Sequence, residues 1–248
     1  MKIPSLIMLV LTLHSCTAPL YTVMPNDLTM LEKAGHHAGG LSFSNSLIWS
    51  GMTQLGGHYA YALPYGFRVR TDFNILNNGA DGLQQRMKAN LQTYGLGLGF
   101  HKAFSEKVKW ESHLMLRRVS GTYLLGDKDS NVATFTADYG ARNINLFSGV
   151  RIRASQNTHS EVVVGYQWTN FEPLSEDLQS LELGNSFTRL YERSSSLHHP
   201  VVSVNSVYEL DDVEVMVFFT FNVYSGEAIN SSNYNSNLLG VKISKVFK

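Results

Sequence analysis

Residues 201–224 read VVSVNSVYELDDVEVMVFFTFNVY, and the alternation inside them decides the fold. In the first arm Val202, Val204, Ser206 and Tyr208 share one side, and Ser203, Asn205 and Glu209 the other, with Val207 as the exception. After Leu210-Asp211-Asp212 the second arm sets Val213, Val215, Val217, Phe219, Phe221 and Val223 against Glu214, Met216, Phe218, Thr220 and Asn222. Side chains of an extended chain point alternately to opposite faces, so six apolar residues at every second position over eleven describe a strand with one greasy face. The two arms and the acidic turn between them make a hairpin.

The same period of two recurs about ten times from Leu41 onward. Strands are expected at 41–49 and 55–63, then at 67–75, where Phe67, Val69, Thr71, Phe73 and Ile75 oppose Arg68, Arg70, Asp72 and Asn74. Next, Tyr94, Leu96, Leu98 and Phe100 oppose Gly95, Gly97 and Gly99, a glycine row that implies crowding on that face or a bend. Further strands set Val108, Trp110, Leu114 and Leu116 against Lys109, Glu111, His113 and Met115. Ile144, Leu146, Val150 and Ile152 oppose Arg151 and Arg153, and Val162, Val164, Tyr166 and Trp168 oppose Glu161. Leu239, Val241, Ile243 and Phe247 share a face of the last strand, whose other side carries Lys242. Stretches 77–90, 119–140, 170–198 and 225–237 read as the long connections, and Pro173 followed by Leu174, Leu178 and Leu181 predicts a short amphipathic helix in the longest.

The 248-residue chain has zero formal charge and no basic cluster, which argues against a nucleic-acid partner. Residues 1–15 have the build of a secretory signal: Lys2, an apolar run over 3–13, and no acid before Asp27. Cys16, the one cysteine, follows Leu13-His14-Ser15, so an internal disulfide is impossible. That arrangement resembles a bacterial lipobox, which implies a lipid carried on Cys16. Residues 16–39 then form a polar lead-in, where Thr29-Met30-Leu31-Glu32 has the spacing of a capping box for one helical turn ended by Gly39-Gly40. Together with Cys16, the segments Pro25-Asn26 and Leu31-Glu32-Lys33-x-Gly35 resemble the lead-in of small uncharacterised lipid-anchored outer-membrane β-barrel proteins. The alternating last strand ending in Phe247 is similar to the C-terminal signal of such barrels, with Lys248 added.

These readings converge on an antiparallel transmembrane β-barrel over 40–248, of about ten strands with eight to twelve open. No apolar run is long enough for a spanning helix, so strands must do the crossing. Connections alternate short (64–66, 104–107, 155–157, 210–212) and long, as in barrels with short periplasmic turns and longer external loops, and an even strand count puts both termini in the periplasm. A soluble sandwich would also alternate; in it the polar face would be the wet one. The barrel reading instead sends Arg68, Arg70, Asp72, Lys109, Glu111, Arg151, Arg153, Glu161, Glu209 and Glu214 into a narrow lumen, where they must pair. The expectation is a charge-paired plug of side chains at the periplasmic end.

No nucleophile elbow, phosphate loop or metal-ligand spacing is present, so no catalytic residue, metal or cofactor is assigned. Barrel enzymes acting on lipid present Ser and His together; here the outward serines are Ser112, Ser148 and Ser206, whereas His58, His101 and His113 point inward. The sequence therefore favours a lipid-anchored outer-membrane barrel with a structural or interaction role, such as that of an accessory subunit beside a membrane-protein partner. A lipid-directed enzyme and a narrow channel are the alternatives.

Overall fold

The computed structural model describes residues 26–46, 53–81, 85–127, 133–172, 196–222 and 237–248. Ten strands run β1 (His37–Ser46), β2 (Thr53–Ala62), β3 (Phe67–Asp81), β4 (Gln85–Ala103), β5 (Val108–Asp127), β6 (Ala133–Arg153), β7 (Thr158–Phe171), β8 (Ser196–Leu210), β9 (Val213–Asn222) and β10 (Leu238–Phe247). Each pairs antiparallel with its chain neighbours, and β1 closes on β10 from His37 opposite Phe247 to Ser46 opposite Leu238. Closure leaves no sheet edge unpaired, which is what lets strands stand in hydrocarbon.

Burial is inverted relative to a water-soluble protein. Leu98 and Leu41 are 63% and 61% exposed on the outside, whereas Arg68 and Arg151 are 1% and 2% exposed on the inside. Only a solvent that is itself apolar makes that distribution stable, so the outer surface is the membrane-facing one. In the β8–β9 hairpin Val217 is exposed and Phe219 stacks edge-on against Phe221 on the outer wall, so among the described residues no second sheet covers this face. Tyr61, Phe67, Tyr208 and Phe247 ring the outside at the short-turn end. Trp168 lies ten residues along β7 from Thr158, the partner of Tyr208. At ~3.4 Å per residue and a tilt of about 40°, that separation is roughly 26 Å, close to the apolar band of an outer-membrane barrel.

The strands are longer than their apolar faces. The stretch 77–90, read as a loop, is mostly ladder: β3 continues to Asp81 and β4 begins at Gln85, with Asn77 opposite Asn90. Likewise β5 reaches Asp127 and β6 starts at Ala133. An antiparallel ladder satisfies its own backbone groups in water as well as in lipid, so pairing outlasts the greasy pattern. The wall is therefore uneven: β4, β5 and β6 have 19, 20 and 21 residues, whereas β1, β2, β9 and β10 have 10 each. The helix expected after Pro173, most of the 225–237 connection, the 1–15 signal and Cys16 lie outside the described residues.

The opposite end is built from tight turns. Pro64–Gly66 forms a 3-10 turn in which Tyr65 and Gly66 have φ of 61° and 84°. At Gly66 a side chain would be strained by that φ and would press on the His101 carbonyl. Asp211 takes a φ of 54° in the β8–β9 turn, a conformation Asp tolerates better than most residues.

Candidate functional site: a lumen occupied by the chain itself

The lead-in does not stay outside the barrel. Residues 26–31 are all buried, Leu28 at 0% and Asp27 at 2% exposure, within the lumen at the short-turn end. The capping-box helix does not form there. The Thr29 and Met30 amides, which a helical turn would leave free, donate to the two oxygens of Glu111 on β5, each at 3.0 Å. Glu32 reaches outward to Lys109 instead of back to Thr29, and the Lys109 ammonium donating to it holds the Glu32 carboxyl below its usual range. Gly39 and Gly40, expected to stop a helix, pair within β1 with Lys245 and Ser244, so the barrel begins at His37, inside the stretch read as lead-in.

Wall side chains hold this strap of residues 26–32 along its length. Asn145 donates to the Asn26 side-chain oxygen at 2.9 Å and Asn205 to its carbonyl at 3.3 Å. Arg70 donates to the Asp27 carbonyl at 2.9 Å and its carboxylate at 2.7 Å, and Lys242 binds the other carboxylate oxygen. Arg151 reaches the Leu28 carbonyl at 3.4 Å, and Arg68 takes the Leu31 carbonyl. Leu28 and Met30 pack with Met115, Phe147 and Val163, and Leu31 with Ala38, Ala60 and Ala62. Burying such side chains contributes about 1.5–3 kcal/mol each, so the strap is anchored by packing as well as by polar contacts.

Seven of the ten residues expected in the lumen fall into three groups around the strap, and Arg70 is held by Asp27 of the strap itself. Glu111 joins Arg68, His113 and the two strap amides. Arg151 is the centre of the second group: its Nε donates to Glu161 at 2.6 Å and its Nη1 to Glu214 at 2.7 Å, with Glu209 at 3.5 Å. Glu161 also accepts from Asn205 at 2.9 Å. Asp72 belongs to a third group, receiving Arg117 through contacts of 2.8 and 3.2 Å. Arg153 departs from expectation: it is exposed, because β6 ends there and its inward-pointing position has already passed the rim. Lys109 stands at the same rim with Glu32.

Two charges of this site escaped sequence reading. Arg117 has the inward parity of Glu111, His113 and Met115, but a strand stopped at Leu116 leaves it unassigned. Asp27 lies in a stretch without alternation, so nothing local sends it into a barrel; its one signal is that it is the first acid of the chain.

The β4 glycines have a steric cause. A Cβ on Gly95 would collide with the Asp72 carboxylate and with Arg117, on Gly97 with Met115, and on Gly99 with the His113 ring. Bare backbone on β4 is the space into which the lumen side chains lean. On the outer wall Ser148 accepts from Trp110 at 2.7 Å, Ser112 donates to the Phe147 carbonyl at 3.2 Å, and His198 pairs with the Tyr166 hydroxyl at 2.9 Å.

No family model matches the chain, and no curated protein matches it. Solved structures similar to it are bacterial outer-membrane barrels. The N-terminal β-barrel domain of OprF from Pseudomonas aeruginosa is 7% identical over 86% of this chain and 98% of that one, with a TM-score of 0.39. An outer membrane channel from Pseudomonas putida is 12% identical over 91% and 100%, with a TM-score of 0.45. Ail, the attachment invasion locus protein of Yersinia pestis, is 9% identical over 87% and 100%, with a TM-score of 0.37.

Proposed function

We propose that this protein is an outer-membrane lipoprotein, anchored through Cys16, whose barrel acts by structure or contact rather than by turnover, and whose lumen is closed at the periplasmic end by residues 26–32. One observation carries the reading: the strap lies inside the wall, with Asp27 joining Arg70 and Lys242 and with Glu111 taking two strap amides. A ten-stranded barrel is only slightly wider than the eight-stranded kind that side chains fill, and the irregular segment 26–32 takes up the difference. The ends of β4, β5 and β6 stand beyond the apolar band on the far side, and that projection is the surface for a membrane-protein partner. Cys16 precedes Asn26 by ten residues, a reach of about 33 Å, enough to join a lumen-held segment to a membrane leaflet.

Planar-bilayer recording tests the closed lumen. The full-length protein is expected to insert without a sustained conductance, and steady open-channel current would overturn the reading. Metabolic labelling with an alkyne fatty acid tests the anchor: label is expected on the wild type and lost in Cys16→Ser.

A further inference from the structure

The strap is bound the way a ligand is bound. Its described contacts with the wall over residues 26–31 run through wall side chains: cations on its carbonyls, a carboxylate on its amides, amide side chains on Asn26. It adds no rung to the strand ladder, which starts at His37. The Asp27 carboxylate sits where a free carboxylate would sit, between the Arg70 guanidinium and the Lys242 ammonium, beside a cavity of about 20 Å³ also lined by His58, Asn74 and Asp72, whose own carboxylate is taken up by Arg117. That volume is about one water's worth of space.

The buried charges say what the lumen becomes without its occupant. Among the described residues, the wall buries or nearly buries five bases, Arg68, Arg70, Arg117, Arg151 and Lys242, against four acids, Asp72, Glu111, Glu161 and Glu214. Asp27 from the strap is the fifth acid. Arg68, Arg117 and Arg151 have partners on the wall itself, whereas the ion pairs of Arg70 and Lys242 are both made with Asp27. Withdrawing the strap therefore leaves two adjacent cations, without their ion-pair partner, facing the space it filled. Fixed positive charges in a narrow pore favour anions over cations.

We propose that the lumen is an anion-preferring pore and that residues 26–32 are a displaceable plug bound to it in cis, with Asp27 occupying the carboxylate site formed by Arg70 and Lys242. The proposal rests on the closed-lumen reading above and goes beyond it by giving the closed barrel an open state and a permeant class, small inorganic and carboxylate anions.

Full-length Asp27→Lys places a third cation between Arg70 and Lys242 and is expected to expel the strap. Recorded in a potassium chloride gradient, it should conduct where the wild type does not, with the reversal potential shifted toward that of chloride. A synthetic peptide of residues 25–33 added to the bath should block the current, and the same peptide carrying D27K should not. Heat-modifiable gel migration reports whether the barrel is folded; if Asp27→Lys does not fold, Asp27→Asn, which keeps the shape and removes the charge, is judged by the same criteria. A folded variant that stays closed, conducts with cation preference, or conducts without block by the wild-type peptide overturns the proposal. A conducting wild type would instead overturn the closed-lumen reading, so the two failures are distinguishable.

Discussion

The lumen changes character along its axis. At the short-turn end, charges meet main chain: Glu111 serves Arg68, His113 and two strap amides, and Arg151 serves Glu161, Glu214 and a strap carbonyl. Toward the long connections the inner face is mostly neutral, with the buried Asp72–Arg117 pair at its near edge, where Arg117 stands opposite Asn143. Asn143 donates to Thr169 at 2.9 Å, Ser203 and Thr220 share a 2.8 Å hydrogen bond, and Leu76, Leu91 and Val119 are buried among them. Both halves bury their inward side chains, yet with different stakes. A neutral pair that loses one member leaves a small polar group to resatisfy, whereas a charged cluster that loses its centre leaves several ions stranded in a low dielectric.

The comparison breaks most visibly at Glu111. Glu111→Ala removes the partner of Arg68 and the acceptor for two backbone amides at once, so we expect a loss of about 3–5 kcal/mol. Urea unfolding of the protein reconstituted in lipid vesicles measures it. A loss under about 1 kcal/mol, the scale of an ordinary hydrogen bond, would mean that the charged end is no more committed than the neutral one.

Ser203→Ala samples the neutral half. It deletes one side of the Ser203–Thr220 bond and leaves Thr220 buried, and the expected cost is about 1 kcal/mol. The same titration reads it, and a cost equal to that of Glu111→Ala would erase the distinction between the halves.

The two halves also differ in how far sequence reveals them. Wall residues of both are legible because a strand's parity fixes which face each occupies: once Val217 and Phe219 are outward, Met216, Phe218 and Thr220 must be inward. Parity also sent Arg68, Arg70 and Arg151 into the lumen, and it failed only where the strand ended in an unexpected place, at Arg117 and Arg153. The strap is different in kind. Residues 26–32 carry no period, and their fold is dictated by partners 43 residues away at Arg70 and 215 away at Lys242. A segment shaped by the cavity that receives it, with Met30 at a φ of 40°, has no local signature, so its short-range capping spacing pointed to a helix that the lumen's hydrogen bonds replace. Strand lengths misled for a related reason: β3 to β6 continue into water, where apolar alternation is no longer needed.

The mildest contrast lies at the rim, where charge is paired but wet. Lys248, beyond the apolar pattern of β10, reaches Asp212 in the β8–β9 turn at 2.8 Å, with both side chains more than half exposed. The hydrogen bond from Lys248 lowers the Asp212 carboxyl below its ordinary value, and the same bond raises the Lys248 ammonium above its own. The carboxyl's contribution is present above the unfolded Asp value of about 3.9 and is lost as pH falls through the lowered folded value. The ammonium's is present below about 10.4 and is lost as pH rises through the raised one. Asp212→Asn should therefore lie slightly below the wild type in unfolding midpoint on a plateau across neutral pH, and should converge with it in strong acid and strong base. Added salt should narrow the gap, since water and ions reach this pair as they do not reach Glu111. A gap that widens on acidification, or one as large as that of Glu111→Ala, would show that the rim is coupled to the plug rather than screened from it.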